Sequence, residues 1–216
     1  VAEGVTVKLA SAETLQLRSR GDGAVASAPA ANSTLQLRSA VVGIGGAKGG
    51  NSGFTLGAQD VLLQASDVLT LSGDLALQGG GSAGGFTLET PLIGSLTANS
   101  EIQVTTPGQL SVDQQQGAAI DDLWLQRLRP ANRFAFEGSG VQFNTMVSNR
   151  SGMTQLAASA GSLQLGSDTV LDLSAFSQEF PQETLYGPAG VLRLSASEDL
   201  TIADADIFEF GTAVVP

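Results

Sequence analysis

The side chains able to do acid–base, nucleophilic or metal chemistry are few in this sequence. Neither Cys nor His occurs among its 216 residues. Thiolate nucleophiles, disulfides, Cys-based zinc sites, Ser-His-Asp chemistry and imidazole metal ligands are thereby excluded. Carboxylates remain, and Asp121-Asp122 forms an adjacent acidic pair. Glycoside hydrolysis needs two carboxyl groups facing each other across the bond, whereas sequence neighbours point different ways. This pair reads as the negatively charged start of a helix. Asp204, Asp206 and Glu209 cluster near the end. Period 2 places Asp204 and Asp206 on one strand face, but calcium needs six or more oxygens, so a solvated strand face is the better reading. Gly43 to Gly50 is glycine-rich yet lacks the Gly-Lys-Ser/Thr order that a phosphate loop requires before a helix; it reads as a loop. Arg20-Gly21-Asp22 spells an integrin-type cell-attachment tripeptide just after a strand. A plain turn accounts for it, and cell attachment is the alternative. No catalytic residue, metal ligand or cofactor is assigned.

Composition describes the frame that must carry these residues. Hydrophobic residues make up 42% of the chain, aromatic ones only 5%, and there are 27 glycines. An aliphatic core built from many short strands and tight turns follows. Charged residues are 14%, well below the ~25% of ordinary globular proteins, so the surface is finished with Ser, Thr, Gln, Asn and Gly. The net charge of −11 argues against nucleic acid and anionic membranes as partners. No run of about 18 apolar residues is present, so membrane insertion is not expected. The chain starts mid-pattern at Val1, as a processed piece or a fragment would.

Repeats give the architecture. Thr14-Leu15-Gln16-Leu17-Arg18-Ser19 recurs as Thr34-Leu35-Gln36-Leu37-Arg38-Ser39, and Gly53-Phe54-Thr55-Leu56 as Gly85-Phe86-Thr87-Leu88. Weaker x-Leu-x-Leu units fill the chain, often in pairs about eight residues apart, as at Leu69/Leu71 with Leu77 and Leu163/Leu165 with Leu171/Leu173. Alternation of this kind marks strands with one buried face. An offset near 20 residues matches one turn of a stacked parallel structure, which predicts Leu15 beside Leu35 and Leu17 beside Leu37. The expectation is an all-β single domain over 1–216, a right-handed parallel β-helix or β-solenoid. An antiparallel β-sandwich is the architectural alternative, distinguished by alternating strand direction. Arg20 to Asn32, Gly43 to Gly53, Gly79 to Gly85 and Phe176 to Gly190 read as loops leaving the stack. An irregular insertion is expected at about 113–133, with one short helix near 120–129. There Ile120, Leu123, Trp124 and Leu128 have helical spacing, Asp121 and Asp122 meet the positive end, Arg127 and Arg129 the negative end, and Pro130 stops it. Trp124 reads as a packing residue.

From about Phe134 the pattern becomes more specific. Phe134-Ala135-Phe136-Glu137-Gly138-Ser139-Gly140-Val141-Gln142 leads to Ser162-Leu163-Gln164-Leu165-Gly166-Ser167-Asp168-Thr169-Val170-Leu171-Asp172-Leu173-Ser174, and then to Gly190-Val191-Leu192-Arg193-Leu194-Ser195. These runs resemble the filamentous-haemagglutinin-family exoproteins, the passengers of bacterial two-partner secretion. The likeness is best over 134–202 and looser over 1–112. It implies a secreted or cell-surface β-helical fibre, exported by a partner outer-membrane transporter. In that reading this piece is an internal, non-catalytic adhesin segment that meets host-cell or matrix glycans and proteins. A β-helical carbohydrate-active enzyme or tailspike-like polysaccharide-binding protein is the alternative.

Overall fold

The computed structural model describes residues 6–11, 13–18, 30–47, 49, 52–114, 119–179 and 184–203. In chain order it begins with β1 (Thr6–Ala10), β2 (Thr14–Arg18), the long β3 (Ala30–Gly45), β4 (Ser52–Leu56), the long β5 (Ala58–Ser72) and β6 (Leu75–Gly79). Next come β7 (Gly85–Glu89), β8 (Leu92–Gly94), β9 (Glu101–Thr105) and β10 (Gln109–Asp113). The helix α1 (Asp122–Arg127) precedes β11 (Arg133–Gly138), β12 (Val141–Asn144), β13 (Met146–Ser148), β14 (Met153–Ala158), β15 (Leu163–Leu165) and β16 (Val170–Asp172). Then follow β17 (Ser177–Glu179), β18 (Thr184–Tyr186), β19 (Val191–Ala196) and β20 (Leu200–Ile202). The described chain is all-β, with parallel sheets and this one short helix.

The strands stack in three rows. The first holds β1, the first halves of β3 and β5, then β7, β10, β12, β15 and β20. The second holds β2, the second halves of β3 and β5, then β8, β13 and β16. These two rows share a 12-stranded sheet; the third row, β4, β6, β9, β11, β14 and β19, is a separate six-stranded sheet. All of this pairing is parallel, and β17–β18 alone among the described pairs is antiparallel. The antiparallel sandwich is therefore set aside.

Register corrects the expected 20-residue stacking. Leu15 and Leu17 pair with Val42 and Ile44. Leu35 and Leu37 instead lie between Val7 and Leu9 on one side and Val61 and Leu63 on the other. The two copies of Thr-Leu-Gln-Leu-Arg thus occupy different rows, and so do the copies of Gly-Phe-Thr-Leu in β4 and β7. The reason is physical: every row buries one face of a short strand, so all rows select the same alternation. A copied motif reports a buried face without saying in which row. True partners are unevenly spaced: Phe134 pairs with Thr154, 20 residues on, and Thr154 with Leu192, 38 on.

Alternation sets the burial. β6 and β9 bury every second residue, and Val61, Phe86, Leu110, Val141 and Leu163 stack on one another in the first row, all buried. Each such side chain contributes about 1.5–3 kcal/mol. The buried aromatic rings of the described residues are Phe86, Phe134, Phe136 and Phe143. Phe134 stacks on Phe136 at 6.0 Å between ring centres, and Phe136 meets Phe143 edge-on at 5.4 Å.

Two excursions interrupt the order of rows. Between β10 and β11 the described residues hold no second-row strand, and β8 pairs directly with β13 through Leu92↔Met146 and Ile93↔Val147. Residues 120–128 lie over the second row, where Leu128 is buried with Val68 and Leu92 among Val41, Ile120, Trp124, Leu125 and Met146. Gly94 makes the room, since a Cβ there would lie 2.3 Å from Leu128 Cδ1. Between β16 and β19 stands the β17–β18 hairpin. It lies inside Phe176 to Gly190, which the sequence reading treats as irregular. Gly43 to Gly53 is also not wholly a loop, because Gly43 and Gly45 sit in β3 opposite Thr70 and Ser72.

Candidate functional site

Arg20, Gly21 and Asp22 lie outside the described residues, as do Asp204, Asp206, Glu209 and Lys48. The acidic pair has a structural place. Asp121 is the N-cap of α1, its Oδ1 accepting from the Leu123 N–H at 2.9 Å, and Asp122 fills the first turn. A second adjacent pair, Glu198-Asp199, sits in the turn before β20, where the Asp199 carbonyl accepts from Leu163 N–H. Trp124 packs in the cluster under α1, with the Arg127 guanidinium 5.2 Å from its ring centre. Among the described residues no group of three or more acidic side chains is gathered to hold a metal.

The interior carries polar order that no catalytic or metal-binding motif in the sequence announces. Asn132 and Asn149 are fully buried where the chain turns into the third row. Asn132 Oδ1 accepts from Ser100 N–H at 3.0 Å, and Asn149 Oδ1 accepts from Asn132 N–H at 3.1 Å. Asn149 Nδ2 donates to Asn132 O, Met153 O and Thr154 Oγ1. At the turn into the second row, Thr145 Oγ1 donates to Thr90 O, and Thr169 Oγ1 to Phe143 O at 2.7 Å. A buried backbone carbonyl costs free energy if left without a donor, and these side chains supply one at successive levels. A polar residue immediately before a strand, as at Ser100-Glu101 and Asn132-Arg133, is the signal that marks them.

Outside this asparagine stack the surface is concave. A groove of about 530 Å³ runs past Asp74, Asn99, Glu101, Arg133, Ser151 and Val191. It crosses the start of five third-row strands, so its long axis follows the stack. Asn99, Ala131 and Ser151 on its wall all have left-handed backbone, with φ of 54°, 62° and 56°. Asp74 is committed to the backbone: Oδ2 accepts from Gly49 N–H and Oδ1 from Glu101 N–H, at 2.6 and 3.0 Å. Glu101 lies beside Arg133 in register. The groove thus offers cationic, amide and hydroxyl groups together with apolar ones from Met153 and Val191, a mixture suited to holding a ligand.

No family model, curated protein or solved structure matches this chain. The functional reading therefore rests on sequence pattern and geometry.

Proposed function

We propose that this chain is a right-handed parallel β-helix serving as a structural and adhesive, non-catalytic segment of a secreted bacterial surface exoprotein. The observation that carries the reading is the parallel register: strands of the three rows recur along the chain, and each pairs with the preceding strand of its own row, β13 reaching back past the α1 stretch to β8. Parallel crossover connections are right-handed in nearly all proteins, which supports the hand. Because each level contacts only its neighbours, such a structure tolerates insertions like the α1 stretch and the β17–β18 hairpin. A long stack whose surface is rich in Ser, Thr, Gln and Asn suits a fibre that presents its sides to other surfaces. Export by an outer-membrane two-partner transporter, with host-cell or matrix glycans and proteins as partners, follows from the resemblance of residues 134–202 to the haemagglutinin-type exoproteins.

Adhesion is tested with microspheres coated with the chain and passed over epithelial cells and abiotic surfaces under flow. Retention well above albumin-coated spheres is expected. Retention equal to that control on every surface overturns the adhesive reading.

A further inference from the structure

Two Asn-x-Ser/Thr runs occur in the chain, Asn32-Ser33-Thr34 and Asn149-Arg150-Ser151. This is the acceptor pattern for N-linked sugars, and a sugar is bulky enough to require a surface position. The fold places the two asparagines in opposite surroundings.

Asn149 is fully buried and its side chain is spent on the fold. Its Oδ1 accepts from Asn132 N–H, and its Nδ2 donates to Asn132 O, Met153 O and Thr154 Oγ1. A Cβ added at the neighbouring Gly152 would already collide with Asn149 Oδ1. A sugar on Nδ2 has no room there, and it would strip the buried carbonyls of their donor.

Asn32 stands where β3 leaves its ladder. The pairing with β5 holds at Ala30↔Ala58 and resumes at Thr34↔Asp60, so four steps along β3 match two along β5. The surplus forms a bulge, a device that re-aims a side chain. Within it Asn32 is exposed, with left-handed backbone at φ 51°, a conformation Asn tolerates better than most residues. The backbone on either side is fixed. Asn32 N–H donates to Gln59 Oε1 at 2.7 Å, and the buried Ser33 Oγ accepts from Gln59 N–H at 3.1 Å. The bulge thus offers an exposed carboxamide on a held main chain.

We propose that Asn32 carries an N-linked glycan in the exported protein and that Asn149 carries none. In the transfer, Asn32 Nδ2 bonds to the anomeric carbon of a sugar activated at a phosphate ester. The bond from that carbon to the phosphate oxygen breaks, the phosphate leaves with the electron pair, and the amide proton passes to a base of the transferring enzyme. Thr34 is half-buried and paired with both Thr6 and Asp60, so transfer precedes closure of this level of the stack. Folding then selects between the two sites, because only a chain modified at Asn32 can close every ladder. The inference rests on the secreted reading, which takes the chain past a glycosylating machinery.

Peptide mass spectrometry of the protein recovered from the surface of the cells that make it tests the proposal. A sugar mass is expected on the peptide holding Asn32 in most molecules, and none on the peptide holding Asn149. A single sugar identifies a nucleotide-activated donor, and a preassembled oligosaccharide a lipid-linked one. Made in the same cells, Asn32→Gln should lose the added mass and keep the circular dichroism of the parent. Thr34→Ala should lose it with Asn32 still present, while Thr34→Ser, which restores the hydroxyl, retains it. Bare Asn32 in the native protein, a sugar that persists in Thr34→Ala, or a sugar on Asn149 of the folded chain overturns the proposal. Bare Asn32 together with microspheres that adhere sinks this inference and leaves the adhesive reading standing.

Discussion

The two excursions from the strand rows are held in opposite ways. The α1 stretch is held by apolar contact: Leu128 is buried against Val68 and Leu92, and Trp124, Leu125 and Ile120 close around it. Its helix has only six residues and buries none of them fully, too short to stand on propensity. The described contacts of the β17–β18 hairpin are backbone and polar ones. Ser177 pairs with Tyr186, Gly187 N–H donates to Phe176 O, and Phe176 N–H donates to Ser151 Oγ at 2.8 Å. Tyr186 is 69% exposed. Chain that leaves the stack can therefore be fixed either by covering an apolar stripe on the sheet or by closing its own ladder. Only the first couples it strongly to the sheet's stability.

The interior sets the scale for that coupling. Phe136→Ala removes a ring stacked on Phe134 and edge-on to Phe143, and should cost about 3–5 kcal/mol in chemical denaturation; a loss under 1 kcal/mol contradicts the assigned core. Leu128→Ala comes next, at about 2 kcal/mol. Trp124 fluorescence should shift to the red and amide protection should drop in α1 first; unaltered Trp124 emission would show that α1 does not depend on this anchor. Asp121→Ala removes the cap on Leu123 N–H and should cost about 1 kcal/mol, again with loss of order confined to α1. Tyr186→Ala on the hairpin should change stability by less than about 0.5 kcal/mol. A cost approaching that of Leu128→Ala would erase the distinction between the two excursions.

These contrasts explain what the sequence disclosed. The α1 stretch was legible because Asp121, Leu123, Trp124, Leu128 and Pro130 obey helix spacing and end rules that no strand row shares. Strands were legible from alternation, and their eight-residue pairing marks consecutive rows, as Leu163/Leu165 in β15 and Leu171 in β16 show. Row assignment was not legible. Thr14–Arg18 and Thr34–Arg38 are identical yet lie in different rows, because the rows impose one common pattern. The hairpin was hidden because Ser177–Glu179 and Thr184–Tyr186 are too short to show a period. The groove was the least legible feature. Asp74, Glu101, Arg133 and Ser151 are far apart in sequence, and only the register of β6, β9, β11 and β14 puts them side by side.

Parallel pairing makes distance along the first row count strands and not residues. Gln36, Leu62, Thr87, Ser111, Gln142, Gln164 and Thr201 are successive partners in the first row. Spin labels at Gln36 paired in turn with Gln142, Gln164 and Thr201, read by pulsed dipolar spectroscopy, test this directly. Backbone separations of roughly 19, 24 and 29 Å are expected from four, five and six strand spacings, in equal steps although 22 residues separate the first two positions and 37 the next. Unequal steps that follow sequence separation, or a Thr201 label closer to Gln36 than the Gln142 label, would contradict the stacked parallel architecture.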